Sequence, residues 1–284
     1  MQSLPLRLTL WRQLVAAAET DPRIVGLLDY GSGSEGRADG WSDVDAAVFV
    51  RDADFARFGE EWRDWVGRFG RPLVTFLYQE HHPWAIYDYW PIPLRVDFSF
   101  HPESAIDSLP SWPNSPTSVE ALVRYDGSGG KLNVVARQLV GKSLAPTDLT
   151  ATFERIRGVF WYFLLRSYGK LRRGQSWAAR YEYNFLVTGL LHALLRLEAG
   201  RVERWQAAES PVGIETAISA ERLARLPDCI PGRTDADLLR AMLATARLGQ
   251  ECGGATAARE AWDWPWELGR RVEEILLDAL GENR

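Results

Sequence analysis

Apolar residues recur along this chain in two rhythms, and the rhythm changes near the middle. Leu10, Leu14 and Val15 sit at helical spacing within residues 6–20, and Asp21-Pro22 stops the pattern, which predicts a helix. Residues 24–30 and 44–50 are short runs rich in Ile, Val and Leu and predict two buried strands. Phe55, Phe58, Trp62, Trp65, Val66 and Phe69 return to helical spacing over 54–69, until Arg71-Pro72 breaks it. Residues 73–78 read as a third strand. Residues 94–100 read as a fourth, with Val96, Phe98 and Phe100 alternating against Arg95, Asp97 and Ser99. His81-His82, which follow Glu80 at a strand end, fall in a loop, as do Trp84, Trp90 and Trp112.

A Ser/Pro-rich stretch at 108–116 and a glycine run at 126–130 are loops or connections. Beyond residue 149 the pattern is helical throughout: 153–171, 177–198, 214–226, 235–248 and 256–280 are periodic and poor in Gly and Pro. The organisation expected is α+β or α/β at the front, a small mixed sheet with flanking helices over residues 1–135, then an all-α helical bundle over 136–284.

Composition narrows the class. The 284 residues are 46% hydrophobic and 25% charged, which excludes wholesale disorder, collagen and coiled coil. No apolar run approaches the ~20 residues of a membrane span, and the first residues carry no basic-then-apolar leader, so a cytoplasmic protein without a membrane partner is expected. Cys229 and Cys252 are the only cysteines, too few for a disulfide framework or a four-cysteine zinc site. The net charge of -5 is unevenly spread: residues 1–115 hold 10 Lys/Arg against 17 Asp/Glu, and the rest 23 against 21. An acidic front half speaks against a nucleic-acid partner and suits metal ions or a cationic ligand.

The chemistry concentrates between residues 31 and 48. Asp43 and Asp45 are two apart at the start of an apolar run, so on a strand their carboxylates share a face, roughly 6–7 Å apart. Two unpaired acids there repel one another, and a pair of hard divalent cations would supply the missing charge. Gly31-Ser32, twelve residues ahead of Asp43, forms a turn with free N–H groups and a hydroxyl, the makings of a phosphate-binding concavity. Asp97, a lone carboxylate on an apolar strand, completes a three-acid nest if its strand neighbours that of Asp45, and could accept a proton from a hydroxyl. Glu35 and Arg37 are expected on a short helix after the turn, Arg37 a candidate for phosphates with a solvated face the plainer expectation, and Asp39 in a turn. His192, inside an apolar helix, is expected to be a satisfied core histidine. Trp161, Trp177, Trp262, Trp264 and Trp266 are expected in core or interface.

Gly-Ser, ten residues, then Asp-x-Asp and an apolar run, with a later strand Asp, resembles the nucleotidyltransferase superfamily of DNA polymerase beta type. Arg37-Ala38-Asp39, Ser42-Asp43-Val44-Asp45, and Arg95 to Pro102 are similar to its antibiotic-modifying branch, which acts on streptomycin-like aminoglycosides at the 6 position and on lincosamides. The resemblance covers residues 28–102. It implies a catalytic front domain and a helical domain completing a substrate cleft. It further implies transfer of a nucleoside monophosphate, AMP from ATP first of all, to a hydroxyl of an aminoglycoside or lincosamide, with pyrophosphate released.

In that family's terms Asp43, Asp45 and Asp97 would hold two Mg2+ ions, Ser32 with Gly31 would meet the outer phosphates, and Asp97 would serve as base. A helical-domain lysine would reach the triphosphate; Lys170 is the candidate and Lys142 its rival. Glu182, between two tyrosines, could bind an ammonium group, the plainer expectation being an exposed helix carboxylate. Relatives include dimers, so a homodimer is possible. The alternatives are a nucleotidyltransferase that modifies a protein, as in toxin–antitoxin pairs, and a non-catalytic nucleotide-binding module.

Overall fold

The computed structural model describes residues 3–205 and 210–281. The chain divides into two units, Met1–Ser143 and Leu144–Arg284.

The first unit is a mixed six-stranded sheet with helices on both faces. Its strands are β1 (Ile24–Asp29), β2 (Val44–Val50), β3 (Pro72–Gln79), β4 (His82–Tyr87), β5 (Leu94–Pro102) and β6 (Val123–Asp126), in the order β3-β4-β5-β2-β1-β6. β2 and β5 are parallel, and every other neighbouring pair is antiparallel. α1 (Ser3–Thr20), α2 (Phe55–Glu60) and α3 (Trp62–Val66) cover one face, where Leu10, Leu14, Phe58, Trp62 and Trp65 meet Val44, Ala46, Val48, Val96, Phe98 and Phe100. α4 (Val119–Leu122) and α5 (Lys131–Ala136) lie on the other, with Leu122, Leu132, Ala136 and Leu139 against Val25, Leu28, Ala47 and Phe49. Residues 136–143 thus close the core of this unit rather than opening the next. β2 is buried on both faces, which is why it reads as a continuous apolar run; Asp45 is its one charged member.

Four local expectations change. The helix expected over 54–69 is interrupted at Glu61, whose carboxylate is taken by Arg23 and Arg57. β4 runs through His82 and Trp84, where a loop was expected: Pro83, Ala85 and Tyr87 turn inward, an alternation masked by the His-Pro start. β6 has only four residues and exists because β1 offers it an edge. The stretch expected as a loop from 108 begins inside a 3-10 helix, Glu103–Ser111.

The second unit is helical among its described residues: α6 (Leu149–Arg172), α7 (Ser176–Glu182), α8 (Thr188–Glu198), α9 (Ile214–Ala217), α10 (Ala220–Arg225), α11 (Asp235–Glu260) and α12 (Trp266–Leu280). The expected helix 177–198 carries a π-helical turn, Tyr183–Val187, between α7 and α8. The pair expected at 235–248 and 256–280 is joined differently. α11 starts at a capping box, Thr234 with Asp237, and runs on to Glu260 through Gly249, Gly253 and Gly254. A side chain at Gly253 would overlap the Trp264 ring, so the glycine that weakened the helical signal is what lets the tryptophan into the core. Trp161 and Trp264 are buried, whereas Trp177 and Trp266 are exposed. His192 is half-buried and its Nδ1 has no partner among the described residues, which differs from the satisfied core histidine expected. Among the described residues no helix is long and apolar enough to cross a membrane.

Candidate active site

The parallel pairing of β2 with β5 sets Val44 beside Val96, Asp45 beside Asp97 and Ala47 beside Ser99. Residues in register on neighbouring strands point to one face, so the Asp45 and Asp97 carboxylates stand side by side. Apolar neighbours on both strands hold this register, since Ala46 and Phe98 go to the opposite, helix-covered face.

The electrostatics follow from crowding. Burial pushes the Asp45 carboxyl up to about 8, and the negative charges of Asp43, Asp97 and Asp29 add to it. Asp97 is pushed up to about 6 by burial and by Asp43, with Arg95 opposing. Asp43 stands just ahead of β2, half-exposed, with its Oδ2 3.5 Å from the Arg95 guanidinium. Three acids therefore share one electrostatic neighbourhood, with the largely exposed Arg95 beside Asp43 and Asp97 and the buried Arg7 opposing the charge of Asp45.

The turn after β1 closes directly on Asp45. The Tyr30 N–H donates to the Asp45 backbone carbonyl at 2.8 Å. Gly31 follows with φ +146°, and a Cβ there would collide with the Asp45 carboxylate, so both backbone angle and space demand glycine. The Ser32 hydroxyl is buried and has no hydrogen-bond partner among the described residues. Ser34 Oγ donates to the Gly31 carbonyl, and the Arg37 N–H to the Ser32 carbonyl, which ties the turn together. Residues 31–36 form turns, not the short helix expected, because Gly31 and Gly36 adopt positive φ. Arg37 is held by the buried Glu35 carboxylate at 2.5 Å, so its guanidinium already has an anion. Asp39 is a turn residue as expected, its Oδ1 accepting from the Trp41 N–H and the Ser42 hydroxyl.

Two further charged residues belong to this corner and were not singled out from sequence. Asp29 ends β1 fully buried, and its Oδ2 accepts from Arg124 on β6 at 2.6 Å. A Cβ on Gly33 would strike the Asp29 carboxylate, so this ion pair underlies the same turn. The signal available was an acid at the end of an otherwise apolar strand. Its partner lies 95 residues on, which no local pattern reveals.

Lys142 donates to the carbonyls of Pro110 (2.7 Å) and Trp112 (3.1 Å) and is thereby occupied within the first unit. In the second unit Lys170 lies 2.5 Å from Glu182, and Arg166 2.8 Å. Glu182 is buried, not the exposed helix carboxylate expected, because two cations of α6 close over it as α7 packs alongside. Its charge is thus met from within the chain, as is that of Lys170.

The donor set suits a hard divalent ion: carboxylates crowded without enough cations of their own, beside a buried hydroxyl lacking a partner. The set is not drawn together into a cage. Among the described residues no three His, Cys, Asp or Glu side chains are grouped as metal ligands, and Asp43 leans toward Arg95 instead.

The fold is a mixed sheet flanked by helices on both faces, followed by a separate helical unit, with acids on its one parallel strand pair. No family model and no curated protein matches the chain. Among solved structures it is similar to an aminoglycoside 6-adenyltransferase from Bacillus subtilis, at 12% identity over 96% of this chain and 97% of that one, with a TM-score of 0.44. It is also similar to a nucleotidyltransferase-like protein from Exiguobacterium sibiricum, at 14% identity over 95% and 87%, with a TM-score of 0.35. Likeness at that level adds nothing to what the geometry of the site itself says.

Proposed function

We propose that the chain is a nucleotidyltransferase that moves a nucleoside monophosphate from a nucleoside triphosphate to a hydroxyl of a small molecule. The observation that carries this reading is the side-by-side placement of Asp45 and Asp97, with the Gly31-Ser32 turn closed against Asp45. Asp43, Asp45 and Asp97 are the residues that would hold Mg2+. When bound, the ions supply positive charge to the phosphates and to the attacking oxygen.

The chain's own residues account for the rest. Gly31 lets the backbone come up against Asp45 without a side chain in the way. Ser32 offers a buried hydroxyl without a hydrogen-bond partner among the described residues, suited to a phosphate oxygen. Asp97, which stands beside Asp45 and is raised above the ordinary carboxyl value by burial and by Asp43, would be the group to take the proton of an attacking hydroxyl. A direct role for Arg37, Lys142 or Lys170 at the triphosphate would require each to leave the partner it already has. ATP as donor, and an aminoglycoside or lincosamide as acceptor, are the finer form of the proposal. They come from the sequence resemblance, and the acidic front half favours a cationic acceptor.

The experiment is incubation with Mg2+, each of the four nucleoside triphosphates and a panel of both antibiotic classes. Pyrophosphate release and an added nucleoside monophosphate by mass spectrometry are the readouts. A second reading, a module that binds nucleotide without turning it over, is favoured by the Asp43–Arg95 contact. It predicts MgATP binding with no pyrophosphate from any pair.

A further inference from the structure

We infer that two copies of this chain pair through β3, joining their sheets edge to edge. β3 ends the strand order, and its outer edge has no strand partner among the described residues. Leu73, Val74, Phe76, Leu77 and Tyr78 are each 39–57% exposed, and they fall on both faces of the strand. Pro72 occupies only the first position, so the run from Leu73 to Leu77 lacks the charges and prolines with which proteins guard an open edge. A small molecule or a packed helix would cover one face and leave the other wet. A paired strand satisfies the free backbone groups and brings side-chain neighbours to both faces at once.

The charge pattern selects a second copy as the occupant. The strand itself is uncharged in a chain of net charge -5, so it is a place where two like-charged molecules can approach. Its two ends carry opposite signs: Arg71 precedes it and Glu80 follows it, with side chains 80% and 90% exposed. Antiparallel pairing brings the Arg71 end of each copy to the Glu80 end of the other, and a parallel arrangement would oppose like charges. Arg71 also contacts Asp88 at 3.2 Å on its own chain, which still leaves most of the guanidinium open. The match is self-complementary, as an isologous two-fold interface requires.

Sedimentation equilibrium tests this. Wild type is expected to be dimeric at about 100 μM. Val74→Lys with Leu77→Lys is expected to give a monomer whose melting temperature stays close to wild type. Arg71→Glu is expected to weaken the dimer about tenfold at low salt, because two attractive ends become repulsive, and adding Glu80→Arg should restore it. A monomeric wild type at that concentration, a Val74→Lys/Leu77→Lys dimer of undiminished affinity, or no rescue by the charge swap would each overturn the proposal.

Discussion

Buried carboxylates appear in both units, and the two units treat them in opposite ways. Glu182 is closed over by Arg166 and Lys170, so its charge is neutralised inside the chain. Asp45 is also largely buried, but Asp43, Asp97 and Asp29 outweigh the opposing charge of Arg7, and burial and repulsion together push its pKa up to about 8. A protein selected only for stability would pair both. The first arrangement holds helices together; the second is costly for the fold, because like charges crowd where burial already disfavours charge. Burial alone does not separate the two. The sign of what surrounds each acid does.

The largest effect expected from breaking this contrast is at Asp45. Asp45→Asn should lower nucleotidyl transfer by about 10³-fold or more, since removing a group that acts with others disables the set. The same variant should melt no lower than wild type without Mg2+, because the amide keeps the carboxyl's shape and cannot ionise in the buried, acidic site; calorimetry beside a pyrophosphate assay checks both halves. Glu182→Gln should do the reverse, costing about 3 kcal/mol in urea unfolding by stranding two cations beside a neutral amide. Adding Lys170→Met to that variant should recover part of the loss.

The pH dependence sharpens the same comparison. The folded Asp45 carboxyl titrates near 8, against an ordinary 3.8, so between those values the native state holds a proton that the unfolded chain has lost. Stability without metal should therefore fall as pH rises from about 4 to 8, by about 1.4 kcal/mol per pH unit at most. Asp45→Asn should flatten the slope, and added Mg2+ should raise the melting temperature more at pH 8 than at pH 6. The smallest effect belongs to Arg95→Ala. The contact with Asp43 is exposed, so stability should change by less than about 1 kcal/mol. Loss of the neighbouring cation should tighten Mg2+ binding about two- to threefold, measured by titration calorimetry.

Much of the front unit was legible because its signals are local. Val44–Val50 is a strand as expected, since an apolar run bounded by turn residues has few alternatives. Gly31, Ser32, Asp43 and Asp45 could be singled out together because all lie within fifteen residues on either side of one turn. Asp97 was legible as an odd acid on an apolar strand. β4 was not, because His82-Pro83 hides an alternation that only its neighbours reveal. Glu182 was misjudged for the same kind of reason: nothing near it in sequence says that Arg166 and Lys170, a helix away, will close over it.

The sequence by itself determined where most of the strands and helices lie, β4 and β6 excepted, and singled out three aspartates and a Gly-Ser turn as candidates. Those are consequences of side-chain periodicity and backbone preference over a few residues. Tertiary structure alone decided that Asp97 stands beside Asp45, that Asp29 takes Arg124, that Arg37 and Lys170 are already paired, and that β3 is left open at an edge. Strand order and ion pairing join residues tens of positions apart, and electrostatic energy depends on distance in space, which the order of residues along a chain does not contain.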